Sequence, residues 1–105
     1  MAQWDVYPNP NPASCVEVPY LVDVQSDLLR VVPTRFVVPL APSRRGLSGL
    51  PQRMSPAFLV QEQQLLLIPQ EAGPVDARVL RAPVANLRTE AHRIIDALDA
   101  VVSGV

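Results

Sequence analysis

Apolar residues in the last fifth of the chain recur at three- and four-residue steps: Leu87, Ala91, Ile94, Ile95, Leu98, Val101 and Val102. That spacing predicts an amphipathic helix within 84–105, with Arg88, His92, Arg93, Asp96 and Asp99 on its polar side. Asn86 is placed to cap the start, Glu90 lies near the positive end of the dipole, and Gly104 is a natural stop. From Leu87 to Val102 such a helix spans roughly 24 Å, enough to pack across a small barrel. Ser103-Gly104-Val105 is left as the tail.

Upstream the period changes. Twelve prolines cut the chain into short pieces, which suits short strands better than a helical bundle. Trp4–Tyr7 reads as a first strand, followed by a loop at Pro8-Asn-Pro-Asn-Pro12. Tyr20–Gln25 alternates, with Val22 and Val24 inward and Leu21 and Asp23 on the other face. Arg35–Leu40 is a more buried strand, in which Pro39 calls for an edge or a bulge. Pro42–Pro51 reads as a surface loop. Ala57–Val60 and Gln64–Ile68 form a hairpin across Gln61-Glu-Gln63, whose turn type is open without a glycine. Gly73-Pro74 marks a turn, and Ala77–Leu80 a last strand. The fold class is mainly β with a C-terminal α-helix, as one domain over 1–105: a small barrel over 1–83, then the helix and tail over 84–105.

Composition narrows the function. The 105 residues carry a formal net charge of −1, which argues against strong attraction to nucleic acid or a membrane surface. All nine basic residues are arginine. One cysteine, Cys15, excludes an intramolecular disulfide and a cysteine metal cluster, and fits a reducing cytosol. The N-terminus lacks the basic and apolar regions of a signal peptide, and no apolar run approaches a membrane span. A cytoplasmic protein without membrane association is expected.

The candidate chemistry is sparse. His92, four residues from both Arg88 and Asp96, is a formal general base, but no nucleophile has matching spacing, and a solvated helix pair is the ordinary reading. Cys15 has no basic neighbour in sequence to activate its thiol. Asp23 and Asp27 are a formal metal pair, with a strand-face charge and a turn cap as the plainer account. No Gly-rich phosphate loop is present. No catalytic residues, metal or cofactor are expected, and the protein is not expected to be an enzyme. Between Arg30 and Arg53 lie five arginines and no acid, either a set of solvated charges or an electropositive surface for an acidic partner.

One segment is not demanded by any general fold rule: Val22-Asp-Val-Gln-Ser-Asp27, followed by the aliphatic pair Leu28-Leu29. With Arg35-Phe-Val-Val-Pro-Leu-Ala41, Val84-Ala-Asn-Leu87 and the terminal helix, it resembles the CcdB family of toxins from type II toxin–antitoxin systems. The resemblance covers nearly the whole chain. It implies an SH3-like barrel with a long C-terminal helix in a two-fold homodimer. It also implies a toxin that binds the DNA gyrase A subunit and traps the enzyme while its DNA is cut. A cognate antitoxin with a disordered C-terminal segment would neutralise it. The toxin–antitoxin complex would repress its own operon, touching DNA only through the antitoxin.

By the same resemblance the gyrase contact falls on Ser103, Gly104, Val105, Asp99, Val102, Leu28 and Leu29. The best-known members end in Trp-Gly-Ile, so Ser103 stands where they carry an aromatic anchor, and Asp99 where they carry Asn. An anchor of that kind contributes 2 kcal/mol or more, so its loss weakens binding on the order of 30-fold. Two other readings follow. One is a homologue that no longer poisons gyrase and serves in antitoxin binding and autoregulation. The other is an RNA-cleaving toxin on the related MazF-type barrel, with Thr34-Arg35 as its formal site. Leu28 and Leu29 are either packed or partly outward, because adjacent strand residues point opposite ways; Val101 and Val102 carry the same ambiguity.

Overall fold

The structure is a computed structural model that describes residues 2–42 and 51–104. The expected loop at Pro42–Pro51 lies almost wholly outside the described residues. Among the described residues, seven short strands form one antiparallel sheet: β1 (Asp5–Pro8), β2 (Tyr20–Asp23), β3 (Thr34–Ala41), β4 (Ala57–Val60), β5 (Gln63–Leu67), β6 (Gly73–Asp76) and β7 (Ala85–Asn86). The order is β4-β5-β3-β2-β1-β7, with β6 also paired to β3. The sheet curls into a nearly closed barrel. At its open seam the Gln61 side chain, on the β4–β5 turn, donates to the Val84 carbonyl just before β7 at 3.0 Å. One helix, α1 (Ala91–Ser103), follows.

β3 is the spine. One edge pairs with β2 from Val37 to Leu40; the other pairs with β6 over Thr34–Val37 and then with β5 over Leu40–Ala41. Pro39 is therefore in a central strand, not at an edge. It sits where that second edge changes partner, and its carbonyl accepts from Ile68 N–H on that side. The missing N–H faces the same junction, where no ladder bond is required of it.

The inner face of the barrel holds Val6, Val22, Val38, Leu40, Phe58 and Leu65, and α1 covers them with Ile94 and Ala97. Val22 and Val24 point inward as expected. The other face of β2 is also dry: Leu21 joins Tyr7, Val37, Ile68 and Leu80 in a second cluster. Burial, then the nearby Asp5 and Asp23 carboxylates, push the Tyr7 phenol up to about 12. Since this pKa is raised above the unfolded value, the contribution is complete below pH 10 and lost as pH rises through 12. Folding stability should fall by on the order of 2 kcal/mol over that interval, and Tyr7→Phe should flatten the profile in pH-dependent denaturation.

Three local expectations are corrected. The β4–β5 turn has two residues, with Val60 opposite Gln63. Gln61 and Glu62 both take positive φ, 52° and 65°, the mirror-image turn that suits a hairpin's twist. Glu62→Gly should relieve a left-handed strain of about 1–2 kcal/mol against a glycine entropy cost of about 0.5–1 kcal/mol, a small net gain readable as a higher denaturation midpoint. Gly73-Pro74 is not a turn but the start of β6, where Pro74 is tolerated because, among the described residues, β6 pairs on one side only. Ala77–Val79 is a 3₁₀ turn rather than a strand. Asp76 ends β6 there by accepting from Arg78 N–H at 2.9 Å, and the Arg78 guanidinium holds its carboxyl at about 2.

The helix is shorter than its period implies, with 13 residues and a length of about 20 Å. Ala85 and Asn86 are diverted into pairing with β1, and Leu87 N–H bonds the Trp4 carbonyl. Asn86 does not cap the helix as expected: the residue before α1 is Glu90, and Asn86 Oδ1 instead accepts from Arg88 N–H at 2.8 Å, just ahead of the 3₁₀ turn Arg88–Glu90. Gly104 closes α1 in the left-handed conformation, with φ of 72°. Among the described residues, no helix is long and apolar enough to cross a membrane.

Candidate functional site

The hexapeptide earns its residues one by one. Val22 and Val24 fill the inner core. Asp23, between them, is completely buried and accepts from Arg35 Nε at 2.7 Å and from Gln25 N–H at 3.0 Å. Gln25 links the 3₁₀ turn at Leu29 to β3 at Phe36. Ser26 caps the 3₁₀ turn Asp27–Leu29 by accepting from Leu28 N–H at 3.1 Å, and Asp27 sits in its first turn. The result is a rigid stem that carries Leu28 and Leu29 outward. Leu28 is 91% exposed and Leu29 51%, so neither packs in the core.

The second half of the predicted surface is the end of α1. Ile94, Ala97 and Ala100 are its buried face. Ile95 and Val101 are partly uncovered, and Val102 is 89% exposed. The apolar stripe is therefore wider than the face one chain covers. Asp99 is exposed, and Ser103 Oγ donates back to the Asp99 carbonyl at 2.7 Å. Gly104 is exposed; Val105 lies outside the described residues. Within one chain the helix packs closely on the 3₁₀ turns at Gln52–Met54, Pro69–Glu71 and Arg88–Glu90, and the Leu28–Leu29 turn is not among these neighbours. The predicted contact residues thus come from two parts of the fold, the Leu28–Leu29 turn and the last turns of α1.

Several candidate chemistries receive different partners from those expected. Arg35, read as a solvated strand-start charge or an RNA-cleaving group, is only 2% exposed and is held by Asp23. It is spent inside the fold, which removes Thr34-Arg35 as a cleavage site. The same burial takes it out of the arginine-rich surface. Arg53 bonds Asp96 at 3.3 Å, Arg30 is exposed, and Arg44 and Arg45 lie outside the described residues. His92 does not share Asp96, whose partner is Arg53. It lines an open cleft of about 880 Å³ between α1 and β4–β5, beside Arg53, Arg93 and Asp96. Arg93 is tied to Glu90, donates to the Ala57 carbonyl at 2.8 Å, and stacks 4.5 Å from the Phe58 ring centroid. Cys15 Sγ is partly buried against the Pro12 carbonyl at 3.7 Å. Among the described residues, no group of three or more His, Cys, Asp or Glu is placed to hold a metal ion.

The roles of Arg35 and Gln25 were missed from the sequence. The available signal was an unexplained acid, Asp23, on a strand face between two buried valines. What the arrangement offers is apolar surface set on a stiff support. A search of curated proteins finds no match to the chain. Residues 3–104 match the family model described as CcdB protein, nearly the whole length, and the barrel with its single C-terminal helix accords with that match. The chain belongs to the CcdB family, toxins of toxin–antitoxin systems.

Proposed function

We propose that the protein is a non-enzymatic toxin that binds the DNA gyrase A subunit and traps gyrase on cleaved DNA. The observation that carries this reading is the outward placement of Leu28 and Val102. Both are about nine-tenths exposed, at two of the seven positions to which the resemblance assigns the gyrase contact. Large apolar side chains in water are a liability unless a partner covers them. A two-fold homodimer would cover Ile95 and Val101 along α1 and bring the helix ends of both protomers to one face. The acting species is that dimer in the cytoplasm, with Gly104 and Val105 completing the contact beside Ser103 and Asp99. A cognate antitoxin with a disordered C-terminal segment masks the surface, and their complex represses the operon.

The test mixes the purified protein with gyrase, supercoiled DNA and ATP, then denatures the mixture. Linear DNA above the gyrase-only control is expected. Its absence with a folded, dimeric protein would overturn the reading and favour a regulatory homologue that has lost poisoning.

A further inference from the structure

Asp27 to Thr34 is a run of eight consecutive exposed residues that leads from β2 into the first residue of β3. No side chain of this segment is fully buried, its best-covered large apolar groups being Val32 at 37% and Leu29 at 51% exposed, so hydrogen bonds carry much of its order. At its far end Ala77 N–H reaches the Pro33 carbonyl. At its near end the tie is the side chain of Gln25, itself 7% exposed. Gln25 Nε2 donates to the Leu29 carbonyl at 3.1 Å, and Gln25 Oε1 accepts from Phe36 N–H at 2.9 Å. The two bonds fix the amide's orientation, since a flip would set oxygen against oxygen and N–H against N–H. Gln25 is in turn seated by Asp23, which accepts its backbone N–H and is anchored by Arg35.

We propose that Gln25 is a positioning residue: it clamps the Leu28–Leu29 turn to β3 and so presents both leucines, already ordered, to the partner. This rests on the gyrase contact proposed above. A turn that must be ordered on binding loses affinity through that ordering, so a preset turn binds more tightly with no added contact. Gln25 itself touches no partner.

Two measurements test the clamp. The first is amide hydrogen exchange of the unbound protein. Gln25→Ala should speed exchange at Leu28, Leu29, Arg30 and Val32, whose N–H groups bond within the segment, and leave β2 and α1 unchanged. The second is titration of purified gyrase A subunit. Gln25→Ala should weaken binding roughly tenfold, and should weaken it no further in a Leu28→Ala/Leu29→Ala background. Equal losses in both backgrounds, or unchanged exchange at 28–32, would overturn the proposal. Should Gln25→Ala unfold, Gln25→Glu keeps the volume and the acceptor for Phe36 while removing the donor to Leu29, and the same two outcomes are expected of it. If the wild-type protein fails to bind the A subunit, the function proposed above falls. Exchange then decides the clamp alone, with acceleration confined to 28–32 supporting it.

Discussion

Asp23→Ala is expected to lose about 3–5 kcal/mol of folding stability, a large fraction of the roughly 5–15 kcal/mol that holds an ordinary domain together. The carboxylate is inaccessible to water and holds two donors, Arg35 Nε and the Gln25 N–H. Its removal leaves a guanidinium charge in a site only 2% exposed. The Arg35 Nη2 is already buried without a protein acceptor among the described residues, so no spare partner stands ready. Asp23→Asn should cost less, since it keeps an acceptor in place, but it still strands the charge. Replacing both partners, Asp23→Leu with Arg35→Met, should recover most of the loss, because the charge and its counter-charge leave together. Urea unfolding followed by Trp4 fluorescence suits the measurement. Trp4 is the only tryptophan, buried in the cluster that includes Ile94 and Ala97. A loss below about 1 kcal/mol would place the pair among solvated ion pairs and contradict its burial.

The same pair shows why the sequence was only partly legible. Alternation along Tyr20–Gln25 placed Val22 and Val24 correctly, because a strand's two faces are a local property. It said nothing about what covers the opposite face. That depends on Leu80 and Ile68, which arrive from distant segments. An acid on that face therefore read as solvated, and so did Arg35 twelve residues later. The helix shows the opposite error. Its period ran on through Leu87, because a residue buried in a loop is indistinguishable by spacing from one on a helix face. The competing β7 pairing with β1 joins residues some eighty positions apart. The exposed placement of Leu28, Leu29 and Val102 was legible only through the resemblance, which makes them contact residues. The clamp behind them was not, because a glutamine's partners at Leu29 and Phe36 are set by the fold and leave no periodic mark.

Ser103→Trp is expected to tighten gyrase binding on the order of 30-fold and to raise the yield of linear DNA in proportion. Ser103 lies in the last turn of α1 and is exposed. Its hydroxyl bonds the Asp99 carbonyl of its own helix. Such back-bonding slightly disfavours a helix, and the change should leave stability within about 0.5 kcal/mol. The ring would stand beside exposed Val102 and enlarge an apolar patch that already lacks cover within the chain. Aromatic rings bury much area with few rotatable bonds, which is why they dominate contact centres. Asp99, one turn earlier and also exposed, opposes an acidic partner; Asp99→Asn should add a smaller gain that shrinks at high salt. A thirtyfold gain from Ser103→Trp would mean the helix end faces gyrase and that this chain carries a weakened anchor. No gain, with the dimer intact, would mean the helix end is turned from the target. Leu28 and Leu29 would then have to hold the contact alone.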